Sequence, residues 1–171
     1  PNEFCFAERE QYLYFTARLQ RSANPFVLHY DHSKSYEGCV QAVQAGFTSV
    51  MFDGSHLPYD ENVRLTRKVV EMAHAAGVSV EGEIGCIGET ADFDRAVITD
   101  MVYSTPEDAV RFVRETGVDA LAVSIGTVHG LLPKGFVPSL QQERLRQIAA
   151  AVDTPLVLHG GSGTPEEQVA L

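Results

Sequence analysis

Basic residues are scarce in this sequence, cysteines are scarcer, and long apolar runs are absent. Lys plus Arg number 13 against 23 Asp plus Glu in 171 residues, a formal net charge of −10. A nucleic acid or an anionic membrane as main partner needs a basic footprint, and this balance excludes both. A small anionic substrate held by local backbone dipoles is still allowed. Cys5, Cys39 and Cys86 are an odd count with no paired spacing, which fits a reducing cytoplasm and not a disulfide scaffold. No apolar run approaches the ~18–20 residues of a membrane span. Pro1-Asn2-Glu3 does not read as a signal peptide and carries no initiator Met. Low-complexity stretches and obvious linkers are missing too. What is present is a 44% hydrophobic composition, enough for a real core. The length fits one domain of roughly 100–200 residues.

A βα alternation begins after the first 25 residues. Strand-like apolar runs are expected at Phe26–Tyr30, Phe47–Phe52, Val78–Ile84, Ala120–Ile125 and Leu156–His159. Helices are expected over Lys34–Ala45, Glu61–Ala76, Pro106–Thr116 and Leu140–Ala151, with an amphipathic helix in Glu3–Arg21 ahead of them. Thr105-Pro106 and Thr164-Pro165 put a Thr N-cap before Pro at the first helical position. Gly46, Gly77 and Gly117 stand where a helix end wants a left-handed residue. Continuous apolar strands alternating with helices mean a parallel sheet buried on both faces. No G-x-G-x-x-G follows the first strand, which weakens a dinucleotide-binding reading. The expected fold class is therefore α/β of the (β/α)8 barrel type. It is expected as one partial barrel over 1–171, with a leading helix in 1–25 and about five βα units in 26–171, too few strands to close.

The informative feature is how each strand ends. The first closes in His29-Tyr30-Asp31-His32 and the second in Asp53-Gly54-Ser55-His56. The third carries Glu81-Gly82-Glu83, the fourth Thr127-Val128-His129-Gly130, and the fifth His159-Gly160-Gly161-Ser162-Gly163. Sites in parallel α/β architectures lie at the carboxyl ends of strands. One His at a strand end is more often structural than not, and His74 and His56 read as an ordinary helix residue and a helix cap. His32, His129 and His159 are different because three strands deliver them to one rim. Three imidazoles plus one open position is the catalytic zinc arrangement. Asp53 and Glu83 can hold a second cation, although Asp53 suits an ordinary loop turn equally well. Spacing does not choose between His29 and His32. The glycines at 160, 161 and 163, with Gly130, can turn successive N–H groups outward into a phosphate cradle.

These stretches resemble the class II, zinc-dependent fructose-bisphosphate and tagatose-bisphosphate aldolases. The matching segments are Val27–His32, Gly46–Pro58, Val80–Gly85, Ala122–Gly130 and Leu156–Gly163, in family order from about Pro25 onward. The resemblance implies that His32, His129 and His159 ligate Zn2+ and that Asp31 exchanges a proton with the aldehyde-derived oxygen. It implies that Asp53 and Glu83 serve a second divalent site. Gly130, Gly160, Gly161 and Ser162 would hold the dihydroxyacetone phosphate end, with a monovalent cation nearby and Lys134 in the same loop. The implied substrate is a phosphorylated sugar, and the implied state is a cytoplasmic homo-oligomer, dimer or tetramer.

The sequence departs from the family pattern at two places. Ala91 falls where the family has a mobile-loop Glu that removes the substrate proton; Glu89 is the candidate by a short shift, with Asp92 and Asp94 as others. Counterparts of the family's first two strands and its last strand are missing, so the chain reads as an internal piece. Lys34 and Lys68 fall in helix patterns and Lys134 in a loop, which favours metal over imine chemistry. The competing readings are a metal-dependent barrel hydrolase, which also gathers His and Asp at strand ends, and an aldolase piece that cannot turn over by itself.

Overall fold

The computed structural model describes residues 9–92, 97–99, 101–130, 132 and 136–169. The chain divides into two compact units, Pro1–Gly82 with Thr116–Asp119, and Glu83–Glu115 with Ala120–Leu171.

The first unit carries α1 (Arg9–Leu19), β1 (His29–Ser33), α2 (Tyr36–Gln44), β2 (Ser49–Phe52), α3 (Tyr59–Ala75) and most of β3 (Ser79–Ile84). Its strands pair in parallel, β1 with β2 and β2 with β3. Strand β2 is buried along its whole length, as a parallel strand covered on both faces must be. Helix α3 buries Asn62, Thr66, Val69, Val70 and Ala73, a stripe at helical spacing. Full burial of one such Val is worth about 1.5–3 kcal/mol, an upper figure because the unfolded chain already buries some surface. The turn from α2 into β2 needs Gly46. Its φ is +91°, and a Cβ there would lie 2.9 Å from Thr16 Cγ2 of α1. A helix end and a close helix contact thus meet at one residue.

The pairing of β1 with β2 is irregular at one place. His29 pairs with Ser49 and Tyr30 with Val50, but the next pair is Ser33 with Phe52. Between Tyr30 and Ser33, β1 advances three residues while β2 advances two, so Asp31 and His32 sit on a bulge. Among the described residues, His32 is the non-glycine residue with positive φ, +51°. Such bulges re-aim side chains and gather beside functional sites.

The second unit carries β4 (Gly88–Asp92), β5 (Val97–Thr99), α4 (Pro106–Thr116), β6 (Ala120–Val123), β7 (Val128–His129), α5 (Gln142–Ala151), β8 (Leu156–Val157) and α6 (Glu166–Val169). Strands β6 and β8 are parallel, Leu121 beside Leu156 and Ala122 beside Val157. The Thr105 cap forms as expected. Its Oγ1 accepts from Asp108 N at 3.1 Å and donates to the Asp108 carboxylate at 2.7 Å. Ser104 Oγ donates to Ile84 O at 2.7 Å and accepts from Ser124 N at 2.8 Å, so this buried hydroxyl is satisfied both as donor and as acceptor.

The five expected parallel strands are β1, β2, β3, β6 and β8, with trimmed bounds. Strand β1 starts at His29 rather than Phe26 and runs on through the site residues to Ser33. The small sheet β5-β4-β7 was not expected. Helix α2 starts at Tyr36, not Lys34, because Ser35 Oγ caps it by accepting from Gly38 N at 3.1 Å. Residues 3–8 of the expected leading helix lie outside the described residues.

Candidate functional site

In the first unit, the bulge of β1 brings Asp31 and His32 to the end of β2, where Asp53 follows Phe52. Asp53 N donates to Ser33 O at 2.8 Å, which carries the strand pairing one step further. The Asp53 side chain is buried, 3% exposed. Its Oδ1 accepts from Ser55 N at 3.2 Å and from Ser55 Oγ at 2.7 Å. Its Oδ2 faces His32 Nδ1 at 2.9 Å and accepts from Lys34 Nζ at 2.5 Å. Burial by itself pushes the Asp53 carboxyl up. Hydrogen bonds from His32, Lys34 and Ser55, with the charge of Lys34, outweigh it and hold the group well below the usual carboxylate range. An ionised carboxylate only accepts, so His32 Nδ1 carries the proton and donates. With Nδ1 on Asp53, Nε2 is the ring's other nitrogen, the carboxylate–histidine arrangement that metal ligands use.

His29 is arranged differently. Its Nδ1 lies 2.8 Å from Ser49 Oγ, and its Nε2 lies 3.6 Å from Glu81 Oε2 and 3.8 Å from Asp31 Oδ1. Asp31 is about half exposed, and its Oδ2 stands 4.0 Å from His32 Nε2. His74, read as ordinary, is held by Asp119 at 2.8 Å on the far end of α3.

In the second unit, Glu83 is 2% exposed near the end of β3. His129 ends β7, and His159 follows β8 by two residues. Their ring centroids are 6.0 Å apart and tilted by 45°. Zn–N bonds of about 2.0–2.1 Å put two imidazoles that share an ion at this kind of separation. Gly130, Gly161 and Ser162 are exposed, and Gly160 is half-buried. Gly130 and Gly160 have positive φ, +91° and +67°. Strand β4 runs parallel to β7 with Glu89 as the register partner of His129. The Glu89 and Asp92 side chains, and Asp94 and Lys134 altogether, lie outside the described residues.

One expectation needs correcting. Lys34 is not in a helix: it stands between the last residue of β1 and the cap of α2, a strand-end position, with its ammonium on Asp53. The readable signal was Ser35, a good N-cap residue, which shortens the helix by two positions. The Lys34 contact to Asp53 was missed for the same reason, since a helical Lys34 would point elsewhere. Lys68 does lie in α3, with its ammonium 3.8 Å above the Tyr36 ring.

A parallel α/β chain with acid, base and imidazole groups at its strand ends defines a class of barrel-type enzymes. The model of the class II fructose-bisphosphate aldolase family matches residues 5–171, and the chain belongs to that family. A 6-phospho-5-dehydro-2-deoxy-D-gluconate aldolase of Shouchella clausii is 50% identical over 145 residues, 85% of this chain and 48% of its own. A fructose-bisphosphate aldolase of Staphylococcus epidermidis is 45% identical over 145 residues, 85% of this chain and 49% of its own. Among solved structures, the YdjI aldolase of Escherichia coli K12 superposes with a TM-score of 0.79 at 33% identity, covering 94% of this chain and 55% of that one. The fructose-bisphosphate aldolase of Campylobacter jejuni gives 0.68 at 25% identity, covering 94% and 53%. The chain spans about half the length of the relatives it matches, so it has the barrel fold in incomplete form. Among the described residues, no helix is long and apolar enough to cross a membrane.

Proposed function

We propose that this chain is the site-bearing part of a zinc-dependent ketose-phosphate aldolase, which cleaves a phosphorylated ketose reversibly to dihydroxyacetone phosphate and an aldehyde. The observation that carries the reading is the family match over residues 5–171, because it takes in all five strand-end motifs at once. The proposed zinc ligands are His32, His129 and His159. Two local geometries support them: Asp53 fixes the His32 ring through Nδ1, and the His129 and His159 rings stand 6.0 Å apart. Both donor sets are imidazoles, which suits zinc chemically.

Zinc, when bound, supplies a Lewis acid that stabilises the charge developing as a C–H proton leaves. The chain's own residues do the rest. Asp31 holds the proton that is exchanged with the aldehyde oxygen. Glu89, at the register position of His129, is the proposed base for the C–H proton. Backbone N–H groups at Gly130, Gly160, Gly161 and Ser162 receive the phosphate and orient the reacting carbon. A cytoplasmic homo-oligomer belongs to the same reading.

The test is retro-aldol cleavage by the full-length parent, offered fructose bisphosphate, tagatose bisphosphate and 6-phospho-5-dehydro-2-deoxygluconate in turn, with and without Zn2+. Zinc-dependent carbon–carbon cleavage of one of them is expected. Release of inorganic phosphate with no cleavage of the carbon chain would place the protein with metal-dependent hydrolases instead.

A further inference from the structure

We infer that Lys34 occupies, with its own ammonium, the cation position on Asp53, so that Asp53 holds no second divalent ion in this chain. The inference rests on the aldolase reading only in that this reading is what calls for a second cation. Asp53 is a residue whose oxygen that cation would need, and its carboxylate is full. A carboxylate offers about four lone-pair sites. Ser55 N and Ser55 Oγ take two on Oδ1, and His32 Nδ1 and Lys34 Nζ take two on Oδ2. A divalent ion would bind such an oxygen at about 2.0–2.6 Å, inside the space these donor atoms hold.

The four donors are not equivalent. The Ser55 N–H belongs to the turn after β2, Ser55 Oγ sits on that turn, and the His32 ring is set by the bulge. Lys34 alone reaches Asp53 on a flexible stem, so it is the donor a metal would have to displace. Yet its backbone is anchored on both sides. Ser33 O accepts from Asp53 N at 2.8 Å, and Ser35 caps α2. The backbone is therefore already placed, and Lys34 has only its side-chain rotamer freedom to lose on reaching Asp53, while a free ion must come from solution and meet a positive charge already in place. The ammonium is about half exposed but its partner oxygen is buried, so the pair is screened on one side only.

Zn2+ is the probe, and the full-length parent is the protein. Each variant is stripped with a chelator, dialysed to equilibrium against saturating Zn2+, and assayed for metal per chain by mass spectrometry. Lys34→Ala and Lys34→Gln are expected to hold about one equivalent more than the wild type. Lys34→Arg, which keeps the charge, should hold no more than the wild type. Adding Asp53→Asn to Lys34→Ala should remove the gain. The Gln variant keeps a polar stem if the Ala variant folds poorly, and thermal melting checks both. Equal metal content in wild type and in the folded Lys34→Ala or Lys34→Gln variant would overturn the inference. Failure of the aldolase reading shows elsewhere, as a wild type without ketose cleavage; the gain on losing Lys34 is read independently of that.

Discussion

Gly160 lies against the backbone of Val128: a Cβ at position 160 would come 2.9 Å from the Val128 carbonyl carbon and oxygen. Its φ of +67° adds a second reason for glycine. Gly161 has neither constraint, since nothing lies within 4 Å of a Cβ there. The two neighbours therefore separate structure from binding. Gly160→Ala should lower stability by about 1–3 kcal/mol, the usual strain of a side chain held at such a φ. Gly161→Ala should melt like the wild type and raise KM for the phosphorylated ketose, because it narrows an exposed cradle. Thermal melts and steady-state kinetics on the full-length parent decide it; a Gly161→Ala enzyme with unchanged KM removes this turn from phosphate binding.

Asp31 and His32 share the bulge but not the role. Asp31→Asn should keep zinc and lower turnover by ~10²–10⁴-fold, since the amide keeps the shape and cannot carry the proton. His32→Ala should lose zinc. Metal content and turnover measured on both variants are sufficient. If the two lose zinc alike, Asp31 is there for structure.

Much of this was legible in the sequence because burial writes itself into composition. The β2 run Ser49–Phe52 and the α3 stripe from Asn62 to Ala73 are buried as their patterns imply. The small sheet was not legible. Gly88–Asp92 reads GETAD, with no apolar alternation, and β7 has two residues. Its pairing depends on neighbours far along the chain, which local pattern does not encode. The bulge at Asp31–His32 is hidden for a related reason: register is a property of a strand pair, not of one strand. Asp53 shows the limit for the site. The turn read from the sequence is present on Oδ1, while the His32 contact on Oδ2 depends on the bulge in the neighbouring strand and was not read.

Cys39 should titrate late and react slowly. Its side chain is fully buried, and burial pushes the thiol from its ordinary 9.0 up to about 11, against a lowering hydrogen bond with Ser33. The folded state thus keeps a proton that the unfolded state gives up first. That contribution to stability is complete below pH 9.0 and is lost as pH rises toward about 11. Wild type should lose stability more steeply than Cys39→Ala across this window in denaturant titrations at stepped pH. Equal slopes would mean that the thiol titrates as it does in the open chain. Alkylation of the native protein at pH 8 should likewise spare Cys39 until it unfolds.

The metal can be set against the imine directly, and Lys34 makes the comparison sharper. An imine aldolase needs an unprotonated lysine that can reach the ketone carbonyl. Lys34 stands at a strand end, but its Nζ is committed to the buried Asp53 carboxylate at 2.5 Å rather than presented to a ketone carbonyl. With Lys68 engaged over Tyr36, neither described lysine close to a strand end or helix here is placed as an electron sink. Stripping the full-length parent with a chelator should therefore abolish ketose cleavage, and added Zn2+ should restore it. Borohydride in the presence of substrate should leave the mass of the protein, and of the peptide bearing Lys34, unchanged. Activity that survives exhaustive chelation, or a reduced adduct on Lys34, would take His32, His129 and His159 out of the mechanism and put the lysine in their place.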